Sequence, residues 1–349
     1  MNNPDTGIPT LPEWKELYEQ ALQFKGIAPW DWMDDSDLFG VKDPVSGETG
    51  YCCILGAGGQ VFGLAVYKGT DGLDGYGIAR NLPESQYDED MIHLKKCLLL
   101  TFEDRSCLEK QDLQVIKNLG LHFQGANAWP FFRTYDPGYF PWHFNAEQVR
   151  FMSICLQQVN ETVTRFGKDR SLFNPPQPGV HFVRVRENLM TGGAWKDAWL
   201  KPVRLEKRYM IKQEMDGGRL QKIIKNSRRQ KAVWEADFFY APMVVGGKGE
   251  RPYFPVTLLL VDHDSYFVFT GHFSAHNQYL PEFCEEFLKV MEKEKIIPAE
   301  VRVCKEELKW MLDPLAQALG VQISLARKLP VADKVGEDMR RFFRERQER

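Results

Sequence analysis

Asp237, Glu306 and Asp338 fall where a metal-dependent phosphodiesterase would need carboxylates: on a strand, just past a second strand, and in a terminal helix. Two divalent ions about 4 Å apart require oxygen ligands from several elements converging on one point. A further ligand should come from the helix expected at 281–293. There the apolar positions 280, 283, 284, 287, 288 and 291 turn Glu285 and Glu286 toward water, at about 100° per residue. One ligand class is missing. The primary expectation is therefore a non-catalytic binding or interaction protein without a cofactor. A nuclease or phosphodiesterase using magnesium or manganese at Asp237, Glu306 and Asp338 is the alternative.

A second constellation is basic. Residues 201–231 hold eleven Lys/Arg against three Asp/Glu, a local +8 in a chain whose net charge is −3. Within 218–231, Leu220, Ile223 and Ile224 form a short apolar stripe, and Arg219, Lys222, Lys225, Arg228 and Arg229 form a cationic outer face on an expected amphipathic helix. Clustered cations neutralise phosphates, so this face could hold a nucleic acid or a protein partner. The stripe is too short to attach to a membrane surface.

The histidines offer less. His263, in Asp262-His263-Asp264, is expected at a hairpin tip, with His272 and His276 near the strand's other end. Nine residues of strand span about 30 Å, so the three cannot share a metal, and all read as solvent-exposed loop histidines. The run Gly56-Ala57-Gly58-Gly59 invites comparison with a phosphate-cradling loop. Such a loop needs a small residue two positions on and then a helix, whereas Val61 occupies that position and Val61 to Tyr67 reads as a strand. Gly58-Gly59 is expected to be a two-residue hairpin turn, with positive φ at Gly59.

The elements that must position these residues can be read in order. Thr10 and Glu13 spell a capping box for an opening helix that ends near Gly26. Residues 98–102 read as a strand, 108–119 as a helix closed by Gly120, and 121–123 as another strand. Asn145 and Gln148 cap a long helix through Phe166, and 180–185 is a strand. The last third reads as strands at 234–245, 253–261 and 266–273, a helix at 281–293, a strand at 299–303, a helix at 305–319, a strand at 321–328, and a helix at 332–346. This βββαβαβα order is that of the ribonuclease H-like fold, an analogy that carries no activity with it.

A gap-free offset of 200 residues matches Leu108 with Leu308, Leu119-Gly120 with Leu319-Gly320, and Pro130 with Pro330, which predicts an internal duplication. The expected fold class is α+β: two related mixed α/β modules, 1–142 and 232–349, joined by a helical and basic middle region, 143–231.

The composition of this 349-residue chain, 43% hydrophobic and 13% aromatic, is that of globular domains. No apolar run reaches the roughly 18 residues of a membrane span, and the first residues lack the order of a signal peptide. Seven cysteines with no CxxC pair read as reduced thiols, which places the chain in the cytoplasm. Pro29-Trp30-Asp31-Trp32, the segment GYCCILGAGGQVFGLAVYKG at 50–69, Trp234 to Tyr240, and Pro298 to Pro330 together resemble a family of bacterial proteins of unknown function. That resemblance implies a bacterial, soluble, multidomain protein and assigns no site residues.

Overall fold

The capping box forms: the Glu13 amide donates to Thr10 Oγ1 at 3.4 Å, and the Thr10 amide donates to Glu13 Oε2 at 2.7 Å. It opens α1 (Leu11–Ile27), which buries Leu17, Tyr18, Ala21 and Phe24. The computed structural model describes residues 7–81, 89–187, 193–203, 216–247, 250–275 and 278–347. They divide into two compact units, Met1–Pro137 with Pro141–Leu205, and Gly138–Phe140 with Glu206–Arg349.

In the first unit α1 is followed by β1 (Phe39–Lys42), β2 (Thr49–Leu55), β3 (Gly63–Lys68), α2 (Gly69–Asn81), β4 (Cys97–Glu103), α3 (Lys110–Asn118), β5 (Trp129–Tyr135), α4 (Ala146–Lys168), β6 (His181–Arg186) and β7 (Trp195–Leu200). The strands form one sheet in the order β5-β4-β3-β2-β1-β6-β7. All neighbours are antiparallel except β1 and β6. Asn145 caps α4 reciprocally with Gln148, as expected. The apolar side chains of α1 and α4 share one core with those of β1 to β6.

The glycine-rich stretch closes the β2–β3 hairpin, and Gly59 has φ +71. The turn is longer than two residues, because Leu55 opposite Gly63 is the last pair and Gly56 to Phe62 lie beyond it. Packing sets this limit. A Cβ on Gly56 would lie 2.5 Å from Trp30 Cβ, and one on Gly63 would lie 2.0 Å from the Leu100 carbonyl oxygen. Both positions admit only glycine where another part of the fold comes close.

The second unit runs α5 (Gly217–Asn226), β8 (Arg228–Arg229), β9 (Val233–Tyr240), β10 (Val256–Asp262), β11 (Val268–Ser274), α6 (Tyr279–Glu294), β12 (Ile296–Ile297), β13 (Glu300–Val303), α7 (Glu306–Leu319), β14 (Gln322–Leu325) and α8 (Pro330–Gln347). Its main sheet has the order β11-β10-β9-β13-β14, with β9, β13 and β14 parallel and β10 antiparallel to both neighbours. The expected βββαβαβα succession is present. Side chains alternate along β9: Trp234, Ala236 and Phe238 pack with α5, α6 and α7, while Phe239 packs with Leu259, Val261 and the start of α8. The sheet is thus covered on both faces.

Two expectations are corrected. The middle region 143–231 is not a separate part: α4, β6 and β7 belong to the first unit and α5 to the second. The 200-residue offset does not mark a repeated fold either. Leu121 to Phe123 form no strand, β4 runs antiparallel to both neighbours whereas β13 runs parallel to its own, and Pro130 lies within β5 whereas Pro330 opens α8.

The matched residues are those that one kind of helix ending demands. Gly120 and Gly320 have φ +67 and +66. The amides of Leu121 and Val321 reach back to Ile116 O and Ala316 O, and those of Gly120 and Gly320 to Lys117 O and Gln317 O. A leucine, a left-handed glycine and an apolar residue recur because this bond pattern selects them.

All seven cysteines are free, five of them buried. Burial pushes the Cys97 thiol up to about 12. Among the described residues no helix is long and apolar enough to cross a membrane.

Candidate functional site

Asp237 lies on the face of β9 that turns toward α8, two residues beyond Glu235. β13 runs parallel to β9 and ends at Val303, so the chain emerges beside Asp237 and enters α7 at Lys305. Lys305 Nζ folds back to 2.5 Å from Asp237 Oδ1, also donates to the Phe238 carbonyl oxygen, and sits 4.3 Å from the centre of the Phe238 ring. The pair is partly buried, with 19% of the Asp237 side chain and 38% of the Lys305 side chain exposed.

Glu306, at the start of α7, is exposed. Asp338 is exposed too and pairs with Arg341 one turn later, at 2.5 Å. Among the described residues no group of three or more His, Cys, Asp or Glu is placed to hold a metal ion. The sequence reading named the carboxylates and missed the lysine. An ammonium group neutralises Asp237 as a metal would, but it has no open coordination position with which to polarise a phosphoryl group or activate water. Next to this pair, burial raises the Cys304 thiol, and the charge of Asp237 raises it further.

Glu235 is the second residue that sequence reasoning passed over. It is 0% exposed. Its Oε2 accepts the amides of Val331 at 3.0 Å and Ala332 at 2.8 Å, in the first turn of α8, and its Oε1 lies 2.5 Å from His263 Nδ1. A carboxylate here satisfies two of the amides that a helix start leaves without partners, and it faces the positive end of the helix dipole.

His263 is therefore not a solvated loop histidine. The β10–β11 turn returns over β9, the His263 amide donates to Val233 O, and the ring meets Glu235. His272 is also engaged, with Nε2 2.9 Å from Glu282 and Nδ1 4.0 Å from Glu286 on α6. The hydrogen bond from His272 holds the Glu282 carboxyl below its usual range. His276 lies outside the described residues. One signal for Glu235 was legible: Val-Trp-Glu-Ala-Asp-Phe-Phe puts two acids on one face of an otherwise apolar strand.

The basic set is divided by the fold. α5 forms with Leu220 and Ile223 buried and Ile224 partly so, as expected, but it ends at Asn226 rather than running to 231. Arg228 and Arg229 form β8 instead, because the Arg228 and Gln230 amides bond to Lys295 O and Ile297 O alongside β12. Arg219 is held by Glu292, through Nε at 2.8 Å and Nη2 at 2.9 Å, and by Glu285, through Nη1 at 2.7 Å. These bonds raise its pKa.

Arg229 donates to the carbonyls of Leu319 at 2.9 Å and Gly320 at 3.1 Å, capping the end of α7. Lys222, Lys225 and Arg228 are exposed and make no ion pair among the described residues. The basic residues of 204–215 lie outside the description.

Comparison with known families places one match on each unit. Residues 14–184 match a family model described as a domain of unknown function (DUF7309), and residues 219–340 match one described as a domain of unknown function (DUF6930). No curated protein matches the chain.

Proposed function

Because the chain is built of two domains of unknown function, DUF7309 and DUF6930, we propose that it is a non-catalytic binding or interaction protein of the bacterial cytoplasm that works without a cofactor. The observation that carries this reading is the Asp237–Lys305 pair: the strand carboxylate on which a metal-dependent nuclease would be centred is neutralised by a cation of the chain itself. The free thiols fit a reducing compartment. Lys222 and Lys225 on α5, with Arg228 on the neighbouring β8, are the exposed cations by which a nucleic acid or a protein partner could be held.

The competing reading is a magnesium- or manganese-dependent nuclease or phosphodiesterase at Asp237, Glu306 and Asp338, supported by the strand order of the second unit. The two separate in a cleavage assay with labelled single-stranded DNA, double-stranded DNA and RNA in the presence of either ion. We expect the intact protein and its Asp237→Asn variant to leave all three substrates uncut. Metal-dependent cleavage by the wild type that Asp237→Asn abolishes would establish the competing reading.

A further inference from the structure

In the first unit the helix ending at Gly120 releases the chain into Leu121 to Ala128, a segment without regular structure that leads into β5. It is pinned from two sides. The Asn127 amide donates to Asp104 Oδ1 at 2.9 Å, and Lys25 Nζ donates to the Asn127 carbonyl at 2.6 Å. Asn127 and Gly125 hold φ of +50 and +96, so the segment has one unusual backbone shape fixed by its neighbours.

Between it and Arg105 lies an open groove of about 450 Å³, within the range of small-molecule sites. Its apolar wall is Phe123 and Trp129, both half-buried, meeting edge to face with centroids 5.4 Å apart. Arg105 is exposed, with its guanidinium carbon 6.0 Å from the centre of the Trp129 ring. The amides of Gln124, Gly125 and Ala126 donate to no acceptor among the described residues. The charged residues lining the groove are Asp104, already bonded to the segment, and Arg105.

An aromatic wall of two rings set edge to face, one guanidinium beside it and unused amide donors suit a ligand with a planar ring and one adjacent anionic group. We propose that this groove binds a planar aromatic anion of the nucleoside monophosphate type, its ring against Phe123 and Trp129 and its phosphate on Arg105. The inference rests on the reading of the chain as a binding protein, and gives that reading a ligand class. The same chemistry is offered by a free nucleotide and by a nucleotide within a single strand.

Calorimetric titration of the intact chain with adenosine 5′-monophosphate, adenosine, inorganic phosphate and a short single-stranded oligoadenylate tests it. The monophosphate should bind saturably and adenosine at least about tenfold more weakly, because the charge-assisted bonds to Arg105 are lost. Phosphate alone should give no saturable heat. Arg105→Gln, an exposed substitution, should bring the monophosphate down to the affinity of adenosine and leave adenosine unchanged, while Trp129→Leu should weaken both.

Tighter binding of the oligoadenylate than of the monophosphate, still dependent on Arg105, would assign the groove to single strands; equal or weaker binding would assign it to free nucleotides. The proposal is overturned if neither the monophosphate nor the oligoadenylate binds, or if Arg105→Gln binds both as the wild type does. Metal-dependent cleavage would sink the non-catalytic reading without touching this groove, so the two failures are distinguishable.

Discussion

Replacing Glu235 by alanine should lower the stability of the second unit by about 3–5 kcal/mol, the range expected when one partner of a buried charged network is removed. The substitution leaves the buried Val331 and Ala332 amides without their acceptor and the His263 ring without its carboxylate partner. Loss of the cap and loss of a favourable charge at the α8 dipole act in the same direction. Glu235→Gln keeps an acceptor of the same shape, so it should cost less, about 1–2 kcal/mol. Urea unfolding followed by circular dichroism reads both values. An alanine variant that unfolds within about 1 kcal/mol of the wild type would show that the α8 start does not depend on this carboxylate.

Arg133→Met should have a comparable effect in the first unit, about 3–5 kcal/mol, and its size should depend on pH. Arg133 on β5 is 3% exposed. Its Nη1 and Nη2 reach the two Asp112 oxygens at 2.9 and 2.8 Å, and Nη2 reaches Glu109 at 3.1 Å. The guanidinium lies 3.9 Å from the centre of the Phe131 ring, so its plane is packed as well as paired. His143 bridges the same acids, with Nε2 3.1 Å from Glu109 and Nδ1 3.5 Å from Asp112. Burial acts to raise the Asp112 pKa, but hydrogen bonds from His143 and Arg133 overcome it and hold the carboxyl well below its usual range.

A depressed folded pKa means that the stabilisation is fully present above the unfolded value, about 4, and is lost progressively as pH falls from there through the much lower folded value. The gap in urea midpoint between wild type and Arg133→Met should therefore be widest near neutral pH and measurably smaller, though not abolished, at pH 3. A gap that stays constant across that range would contradict the assignment.

What could be read before the structure was known is what local chemistry determines. The Thr10–Glu13 and Asn145–Gln148 caps, the alternation along β9 and the glycine ends of α3 and α7 involve residues within a few positions of one another. What could not be read depends on partners far along the chain. Arg228 and Arg229 look like a continuing helix until β12, almost seventy residues later, offers its backbone to them. Leu121-His122-Phe123 alternates like a strand, but β4 pairs directly with β5, and the two apolar side chains pack against the core from an irregular segment instead.

Composition makes 143–231 look like a part of its own, but the two units divide inside it, between Leu205 and Glu206, and α4 is buried on most sides and integral to the first core. At the candidate site, carboxylates could be counted from the sequence. Which of them is neutralised depends on a lysine that follows a different strand, and no spacing rule predicts that.

Manganese titration of the intact chain, followed by calorimetry, tests most directly the claim that Lys305 takes the position a metal would hold beside Asp237. The heat should show no saturable site that depends on Asp237: the wild type and Asp237→Asn should give the same trace. A saturable manganese site in the wild type that disappears in Asp237→Asn would contradict the account.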